Sequence, residues 1–504
     1  MDVLHGLLTG FQGLLHPEAL FFCFAGVFVG TLVGVLPGIG PIGAMSILLP
    51  ATLGLSPAVS VIMLAGIYYG AMYGGSTTSI LVNIPGEAAS IVTCLDGYQM
   101  ARRGRAGAAL GISAIGSFVG GTVSIVGLMF LAFLLADVAV KFGPAEFFSV
   151  MVLGLVLLTY LASGSIVDAL IMVALGMILG TIGLDPVSGM PRFTFGTTFL
   201  LDGVGLVPVA MGLFGVSEVL MNIAEPEERS ILNEKIRHLW PTRADFKKCL
   251  GPVSRGSVLG FLTGILPGGG AVMSTFLSYT MEKKLSKHPE EFGRGAIEGV
   301  AGPETANNAA SGGAFVPMLA LGIPPNALMA LLLAALMVHG VTPGPLLMTQ
   351  HPEVFWGVIA SMYVGNAMLV VLNLPLVGLW VKILKIPYRV LMPLILLCCL
   401  IGAYATGNNH VDIAVMVFFG LIGYVLRRLG YELAPLILAL VLGPLMEINF
   451  RNALTISDGS VMIFITKPIS VTLLVISALL LVSAGFSAFR KAKGRMIEET
   501  GGGD

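Results

Sequence analysis

Charge is scarce in this sequence. Asp, Glu, Lys and Arg make up 11% of its 504 residues, where a soluble domain carries about 25%. A large soluble α/β enzyme needs amphipathic elements and polar loops, and neither pattern recurs here. Long apolar runs with at most one charge recur instead, at Ala106–Ala136, Val150–Leu184, Phe355–Val381 and Val461–Phe489. Each exceeds the roughly 20 residues a helix needs to cross the bilayer core. The short alternating segments of an outer-membrane barrel are absent. The net charge of −1 implies no nucleic-acid partner. Cysteine is also sparse. The five, at 23, 94, 249, 398 and 399, have no metal-ligand spacing and read as unpaired small apolar residues. No GxxxxGK[ST] or HExxH motif occurs, so no P-loop ATPase or zinc protease is indicated. The expectation is a protein that is not an enzyme and carries no cofactor. Residues 1–20 contain no Lys or Arg. They lack the basic start of a signal peptide, and residues 1–16 suit an interfacial amphipathic segment.

The few basic residues are clustered. They fall at Arg102/Arg103/Arg105, seven between Arg229 and Arg255, Lys283/Lys284/Lys287/Arg294, Lys382/Lys385/Arg389, Arg427/Arg428 and Arg490–Arg495. The positive-inside rule assigns all six to the cytoplasm. Even numbers of spans should then separate them. Four fit between Arg105 and Arg229, at about 107–136, 145–163, 166–184 and 200–221. Two fit between Lys382 and Arg428, at about 390–405 and 411–426. Two more, at about 432–447 and 461–488, precede a cytoplasmic tail at 490–504. One segment cannot span simply. Only 27 residues separate Arg255 from Lys283, whereas two full crossings need about 40. A re-entrant hairpin fits, turning at Pro267–Gly270, with its tip in protein or a wet cavity.

The sequence also repeats itself. Gly26–Gly40, GVFVGTLVGVLPGIG, and Gly256–Gly270, GSVLGFLTGILPGGG, agree at eight of fifteen positions with a constant offset of 230. A second pair follows in the same order: GGSTTSILVNIPG at Gly74–Gly86 and GGAFVPMLALGIPP at Gly312–Pro325. The second hairpin opens to the cytoplasm. The first, without flanking basic residues, suits one opening outward, although residues 1–55 have room for two full spans. The expected fold is an all-α polytopic membrane protein. It is built from two inverted repeats with re-entrant helical hairpins and broken helices near the midplane, a mark of secondary transporters. The expected domains are 17–221 and 256–489, joined by a charged cytoplasmic linker at 222–255.

Certain polar residues in this apolar background are candidates for chemistry. Gly26, Gly30 and Gly34, like Gly256, Gly260 and Gly264, recur every four residues on one helix face, which most simply serves close helix packing. The Pro-Gly tips differ, because proline breaks the hydrogen-bond ladder and frees amides and carbonyls for ions. Candidate substrate contacts are Gly38, Gly40, Gly268, Gly269 and Gly270 at the tips. Ser76, Thr77, Thr78, Asn83, Pro85 and Gly86 join them in the first conserved-order motif, and Asn326 in the second. GPETANNAASGG at Gly302–Gly313 is denser in polar groups. Glu304, Thr305, Asn307 and Asn308 are candidate Na⁺ ligands, since an ionisable residue at membrane depth is a functional candidate by default. Interhelical hydrogen bonding, or for Glu304 an edge salt bridge, is the plainer alternative. Glu87 ranks between site and loop mouth. Asp168, Asp202, Glu218, His339 and His410 rank lower, near helix ends.

Four motifs together resemble a known family. GTLVGVLPGIGPIGAMSILLP, YGGSTTSILVNIPGEAAS, DGYQMARRGRAGAALG and GPETANNAASGGAFVPMLALGIP resemble the large membrane subunit of tripartite tricarboxylate transporters, over about residues 17–490. The resemblance implies a bacterial inner-membrane permease working with a small membrane subunit and an extracytoplasmic solute-binding protein. It implies import of carboxylates, citrate being the namesake, with Na⁺ or H⁺ as coupling ion. Elevator-type movement is implied more remotely, through similarity to TRAP transporters. The residues alone leave a gated anion channel and a non-transporting membrane scaffold open as alternatives.

Overall fold

The computed structural model describes residues 3–36, 40–161, 165–224, 239–268, 270–384 and 386–483. The chain forms two compact units, residues 1–140 with 207–424 and residues 141–206 with 425–504. It is helical almost throughout. The helices begin with α1 (Val3–Leu14), α2 (Pro17–Val35), α3 (Pro41–Leu48), α4 (Pro57–Val82), α5 (Ile91–Met100) and α6 (Ala106–Ala139). After α7 (Pro144–Leu161) and α8 (Ile166–Gly180), Gly183–Leu184 (β1) pairs antiparallel with Pro191–Arg192 (β2). α9 (Leu206–Ala210) continues through a π-helical turn into α10 (Ser217–Ala224). Next come α11 (Arg243–Ile265), α12 (Gly270–Leu285), α13 (Glu298–Gly313), α14 (Phe315–Leu321), α15 (Ala327–Val338) and α16 (Leu347–Gln350). The last are α17 (Pro352–Asn373), α18 (Val377–Ile383), α19 (Tyr388–Gly407), α20 (His410–Arg428), α21 (Ala434–Ile456), α22 (Ile463–Thr466) and α23 (Pro468–Ser483).

Eight helical stretches among the described residues are long and apolar enough to cross a membrane. The chain is an all-α polytopic membrane protein. α2, with 19 residues, is span-length, whereas α3 has only eight, so residues 1–55 do not contain two full-length helices. The arm before the second proline tip is longer than the sequence reading, because α11 starts at Arg243. α1 is more than an interfacial segment. Its Gly6 and Gly10 face lies on Trp356 of α17, and Leu14 is fully buried.

The glycine spacing becomes a ladder of backbone contacts. A Cβ on Gly26, Gly30 or Gly34 of α2 would lie 2.2–2.5 Å from the carbonyl oxygens of Met63, Ile67 and Ala71 of α4. A Cβ on Gly256, Gly260 or Gly264 of α11 would meet the carbonyls of Gly302, Ala306 and Ala310 of α13 at 2.2–2.6 Å. The glycines are 230 residues apart and their partners 239 apart, rung by rung. Helices in lipid gain little from apolar burial against each other, so this close van der Waals approach is what small residues provide.

In the other unit, α7 and α8 pack on α21, with Gly176 against the Leu436 carbonyl. Phe148, Phe450 and Phe464 cluster with ring centroids 5.0–5.4 Å apart. Asp185, Arg192, Glu447 and Arg451 form one ion cluster with contacts of 2.7–3.5 Å. Asp168 and Asp202 belong to this unit.

Candidate functional site

Two helices stop abruptly inside the larger unit, one of 26 residues and one of seven. α4 is buried along nearly its whole length and ends at Asn83, whose φ of 61° is left-handed. Ile84-Pro85-Gly86 follows, and Glu87 starts a tight turn by accepting the Ala89 amide at 2.6 Å. Gly86 fits because nothing larger could. A Cβ there would lie 2.0 Å from the Gly34 carbonyl and 2.6 Å from the Gly75 Cα. The second stop is alike. α14 ends at Gly322 with φ of 70°, and two prolines precede Asn326, whose Oδ1 caps α15 by accepting the Met329 amide at 2.9 Å. Proline cannot extend the preceding helix and left-handed residues end it.

A proline tip meets the second break. Gly268, at φ of 105°, donates its amide to the Pro325 carbonyl at 2.9 Å. In the first repeat, Thr78 holds the end of α2 by donating to the Val35 carbonyl at 2.6 Å. Gly40, at φ of 66°, starts α3, and Gly270 starts α12. The candidates Gly38 and Gly269 lie outside the described residues.

Between the breaks lies α13, the GPETANNAASGG helix, buried from Gly299 to Gly313. Its candidate ligands point in separate directions. Glu304 accepts hydrogen bonds from the hydroxyls of Ser76 on α4 and Thr93 on α5, and from Ser113 on α6 at 3.2 Å. Asn307, one turn on, donates through Nδ2 to Glu87 Oε1 at 3.0 Å. Asn308 turns to α6 and donates to Ser117 at 2.7 Å. Thr305 donates to the Ala301 carbonyl and packs against Gly116 and Gly120, a helix-packing contact. Residues three and four apart share a helix face, so Glu304, Asn307 and Ser311 form one polar stripe.

The two carboxylates have no ion-pair partner among the described residues. Glu304 is 1% and Glu87 8% exposed. Transfer of an unpaired carboxylate from water to an apolar interior is costly unless hydrogen bonds or a cation satisfy it. Hydroxyls, amides and peptide groups do the satisfying here. Asn83 and Pro85 are exposed at the first break, Thr77 is buried beside Ser76, and Asn326 Nδ2 reaches the Tyr68 hydroxyl at 3.3 Å.

Sequence reasoning missed several members. Thr93, Ser113, Ser117 and Tyr68 are single polar groups in apolar runs, without a motif to mark them. Asp96 is the clearest omission. It is fully buried and accepts the Gly293, Gly295 and Ala296 amides at 2.6–2.9 Å and the Tyr279 hydroxyl at 2.9 Å. It ties α5 to α12 and to the loop that enters α13. Its signal was an acid in the quoted DGYQM motif, five residues from an apolar helix start. Glu218 and His410 fall on α10 and α20, and His339 ends α15.

A family model, the tripartite tricarboxylate transporter TctA family, matches residues 20–438. An uncharacterized 52.8 kDa protein of the TAR-I ttuC' 3' region of Agrobacterium vitis is 50% identical over 499 residues, 99% of each chain. An uncharacterized protein of the TAR-II ttuC' 3' region of the same organism is 50% identical over 240 residues, covering 48% of this chain and 99% of its own. No solved structure matches.

Proposed function

This chain belongs to the TctA family of tripartite tricarboxylate transporters, and we propose that it is the permease subunit of a binding-protein-dependent secondary transporter. The carboxylate it imports is a tricarboxylate such as citrate, or a related di- or monocarboxylate. Import is coupled to a Na⁺ or H⁺ gradient across the bacterial inner membrane. A small membrane subunit and an extracytoplasmic solute-binding protein complete the system, and the tail of this chain is cytoplasmic. The two hairpin-and-break pairs are inverted repeats in this reading.

One observation carries it. Two broken helices and a hairpin tip converge on a buried cluster that holds two carboxylates without basic partners. Broken helices that meet at midplane are how secondary transporters hold small ions. An anionic substrate there is bound by peptide groups, hydroxyls and amides at Gly40, Gly268, Gly270, Ser76, Thr77, Thr78, Asn83, Gly86 and Asn326, the Gly268 amide and the Ser76 and Thr78 hydroxyls exchanging their present acceptors for it. A co-bound cation offsets its charge, because no Arg or Lys lies in these motifs. Coupling then requires the cation to favour the loaded carrier, since a ligand shifts an equilibrium only by its differential affinity.

The test is uptake of labelled carboxylate by proteoliposomes holding the chain with both partners. Uptake should accumulate against a gradient only when Na⁺ or H⁺ runs inward. Uptake indifferent to every cation gradient removes the coupling, and single-channel currents would replace the carrier with a gated channel. Glu304→Gln should lower coupled uptake at least tenfold, whereas unchanged uptake would leave the cluster a structural scaffold.

A further inference from the structure

We propose that the larger unit binds an anionic phospholipid, its phosphate at Arg243 and Lys247 and one acyl chain in a groove between α6 and α11. The site lies apart from the buried cluster. It rests on the membrane fold and not on the transport reading.

α6 and α11 both lie on α13. Gly116 and Gly120 of α6 meet Thr305, and Gly256 of α11 meets the Gly302 carbonyl. The Arg105–Asp245 ion pair joins their starts at 2.7 Å. Farther along, Phe261 of α11 closes on Gly127 of α6, where a Cβ would lie 2.5 Å from the ring. Between these contacts the two helices part and leave a groove of about 390 Å³. Its walls are apolar, with Ile112, Ile115 and Val119 on one side and Phe246, Leu250 and Val258 on the other. The α11 wall is open. Phe246, Leu250 and Val258 are 46%, 56% and 58% exposed, so no other described segment covers them.

Length and charge select the occupant. From Phe246 to Val258 α11 rises about 18 Å, at roughly 1.5 Å per residue. One leaflet supplies about 15 Å of hydrocarbon, half of the bilayer core. The groove therefore ends where an acyl chain ends. A partner's transmembrane helix would cross both leaflets, and Phe261 on Gly127 closes its path. Charge marks the mouth. Residues three and four apart share a helix face, so Arg243 and Lys247 stand directly above Phe246 and Leu250. Both are exposed and have no ion-pair partner among the described residues. Two acids lie near Cys249 at this end of the groove. Asp245 is engaged by Arg105 and Thr242, and Glu298 stands on the first turn of α13. Lys248 and Arg105 add positive charge there. The positive-inside rule assigns this end to the cytoplasmic leaflet. Basic residues above an apolar groove between helices on that side suit an anionic headgroup, and the guanidinium fork matches phosphate oxygens. The lipid would brace two working elements. α6 carries Ser113 and Ser117, which hold Glu304 and Asn308, and α11 leads to the tip at Gly268.

The experiment is thermal unfolding of the purified, delipidated full chain in mild detergent. It is titrated with phosphatidylglycerol, with phosphatidylcholine of the same acyl chains, or with glycerol 3-phosphate. Phosphatidylglycerol should raise the unfolding temperature saturably by several degrees, as a ligand of the folded state does, and the other two should not. Arg243→Gln with Lys247→Gln should lose most of the shift, and Arg243→Lys with Lys247→Arg should keep most of it. Leu250→Trp fills the groove from an exposed position. It should abolish the shift and leave the lipid-free unfolding temperature unchanged. Lys283→Gln with Lys284→Gln, on α12 and outside the groove, should keep the shift whole. An equal shift with phosphatidylcholine overturns the anionic site, and a shift with glycerol 3-phosphate alone makes it an ion site without a lipid. Equal loss in the Lys283 and Lys284 variant overturns it in favour of diffuse surface charge. Stabilisation by the small membrane subunit that Leu250→Trp abolishes, with phosphatidylglycerol inert, makes the groove a seat for protein instead.

Discussion

The two hairpin-and-break pairs share a frame and differ in charge. In both, three glycines four residues apart lie on the backbone of the following broken helix. The first pair is almost uncharged along its arms, and its second arm, α3, has eight residues. Its one buried acid stands at the break, Glu87. The second pair has long arms, α11 and α12, clamped by Arg255 through two hydrogen bonds to Glu282, one from Nε at 2.8 Å. Its break carries an amide, Asn326, in place of an acid. Backbone packing is what the two matching stretches share, and their ionisable groups are where they differ. The polar cluster forms where the copies cross, because Glu304 of the second is held by Ser76, Thr93 and Ser113 of the first.

The largest expected effect tests the shared frame. Gly34→Val and Gly264→Val occupy equivalent rungs, each with a Cβ 2.2 Å from a carbonyl oxygen, of Ala71 and Ala310. Neither carbonyl can yield without moving a helix. Overpacking costs about 1–3 kcal/mol and sometimes more, so both variants should fall at or above the top of that range. Unfolding temperature and monodispersity in detergent report it. If one is tolerated and the other is not, the two ladders are alike in sequence only.

The clamp comes next, and it should separate the pairs. Arg255→Ala strands Glu282, which is 3% exposed on its side chain, whereas Arg255 is 40% exposed. Breaking a buried ion pair costs about 3–5 kcal/mol. The exposed guanidinium reduces that through solvent screening, so about 1–3 kcal/mol is expected. Arg255→Lys keeps the charge without the two-pronged geometry and should lose roughly half as much. Hydrogen exchange should quicken in α11 and α12 and leave α2 and α3 unchanged. Equal quickening in all four arms would mean that the clamp acts on the whole unit.

Much of this was legible in the sequence, and the reasons differ by element. The apolar runs marked most long helices to within a few residues, as at α7, α19 and α20, because lipid demands continuous hydrophobicity. The glycine period read correctly as close packing. The breaks were legible at Asn83–Gly86 and Gly322–Pro325 because proline and left-handed residues leave few alternatives. The sequence did not distinguish the directions of Glu304, Thr305, Asn307 and Asn308. Four near-adjacent polar residues look like one ligand set, but helical geometry spreads them at about 100° per residue, and Thr305 faces packing glycines. Nor could it find Thr93, Ser113 or the amide cradle of Asp96, since such partners are joined only by tertiary packing. The linear order of the repeats also hid the second compact unit, built from residues 141–206 and 425–504, which draws on both.

The smallest expected effect uses acid to distinguish the ends of the two leading arms. α11 begins with a reciprocal cap. Thr242 accepts the Asp245 amide at 3.2 Å, while Asp245 accepts the Thr242 amide and hydroxyl at 3.2 and 2.7 Å. Arg105 adds an ion pair at 2.7 Å. Burial alone would raise the Asp245 carboxyl, but Arg105 and Thr242 outweigh it and hold it below the ordinary carboxylate value. The folded state therefore favours the ionised form. That contribution is complete above an ordinary aspartate value of about 3.9 and is lost as pH falls through the lowered folded value. α2 instead starts at Pro17 behind His16, which makes no side-chain cap bond. Amide exchange in the first turn of α11 should thus lose protection below about pH 4, a window set by that reference value. Asp245→Asn should show reduced protection there already at neutral pH and no further acid step, with α2 unaffected. An acid step that survives in Asp245→Asn would assign the sensitivity to another group and leave the two arms alike at their starts.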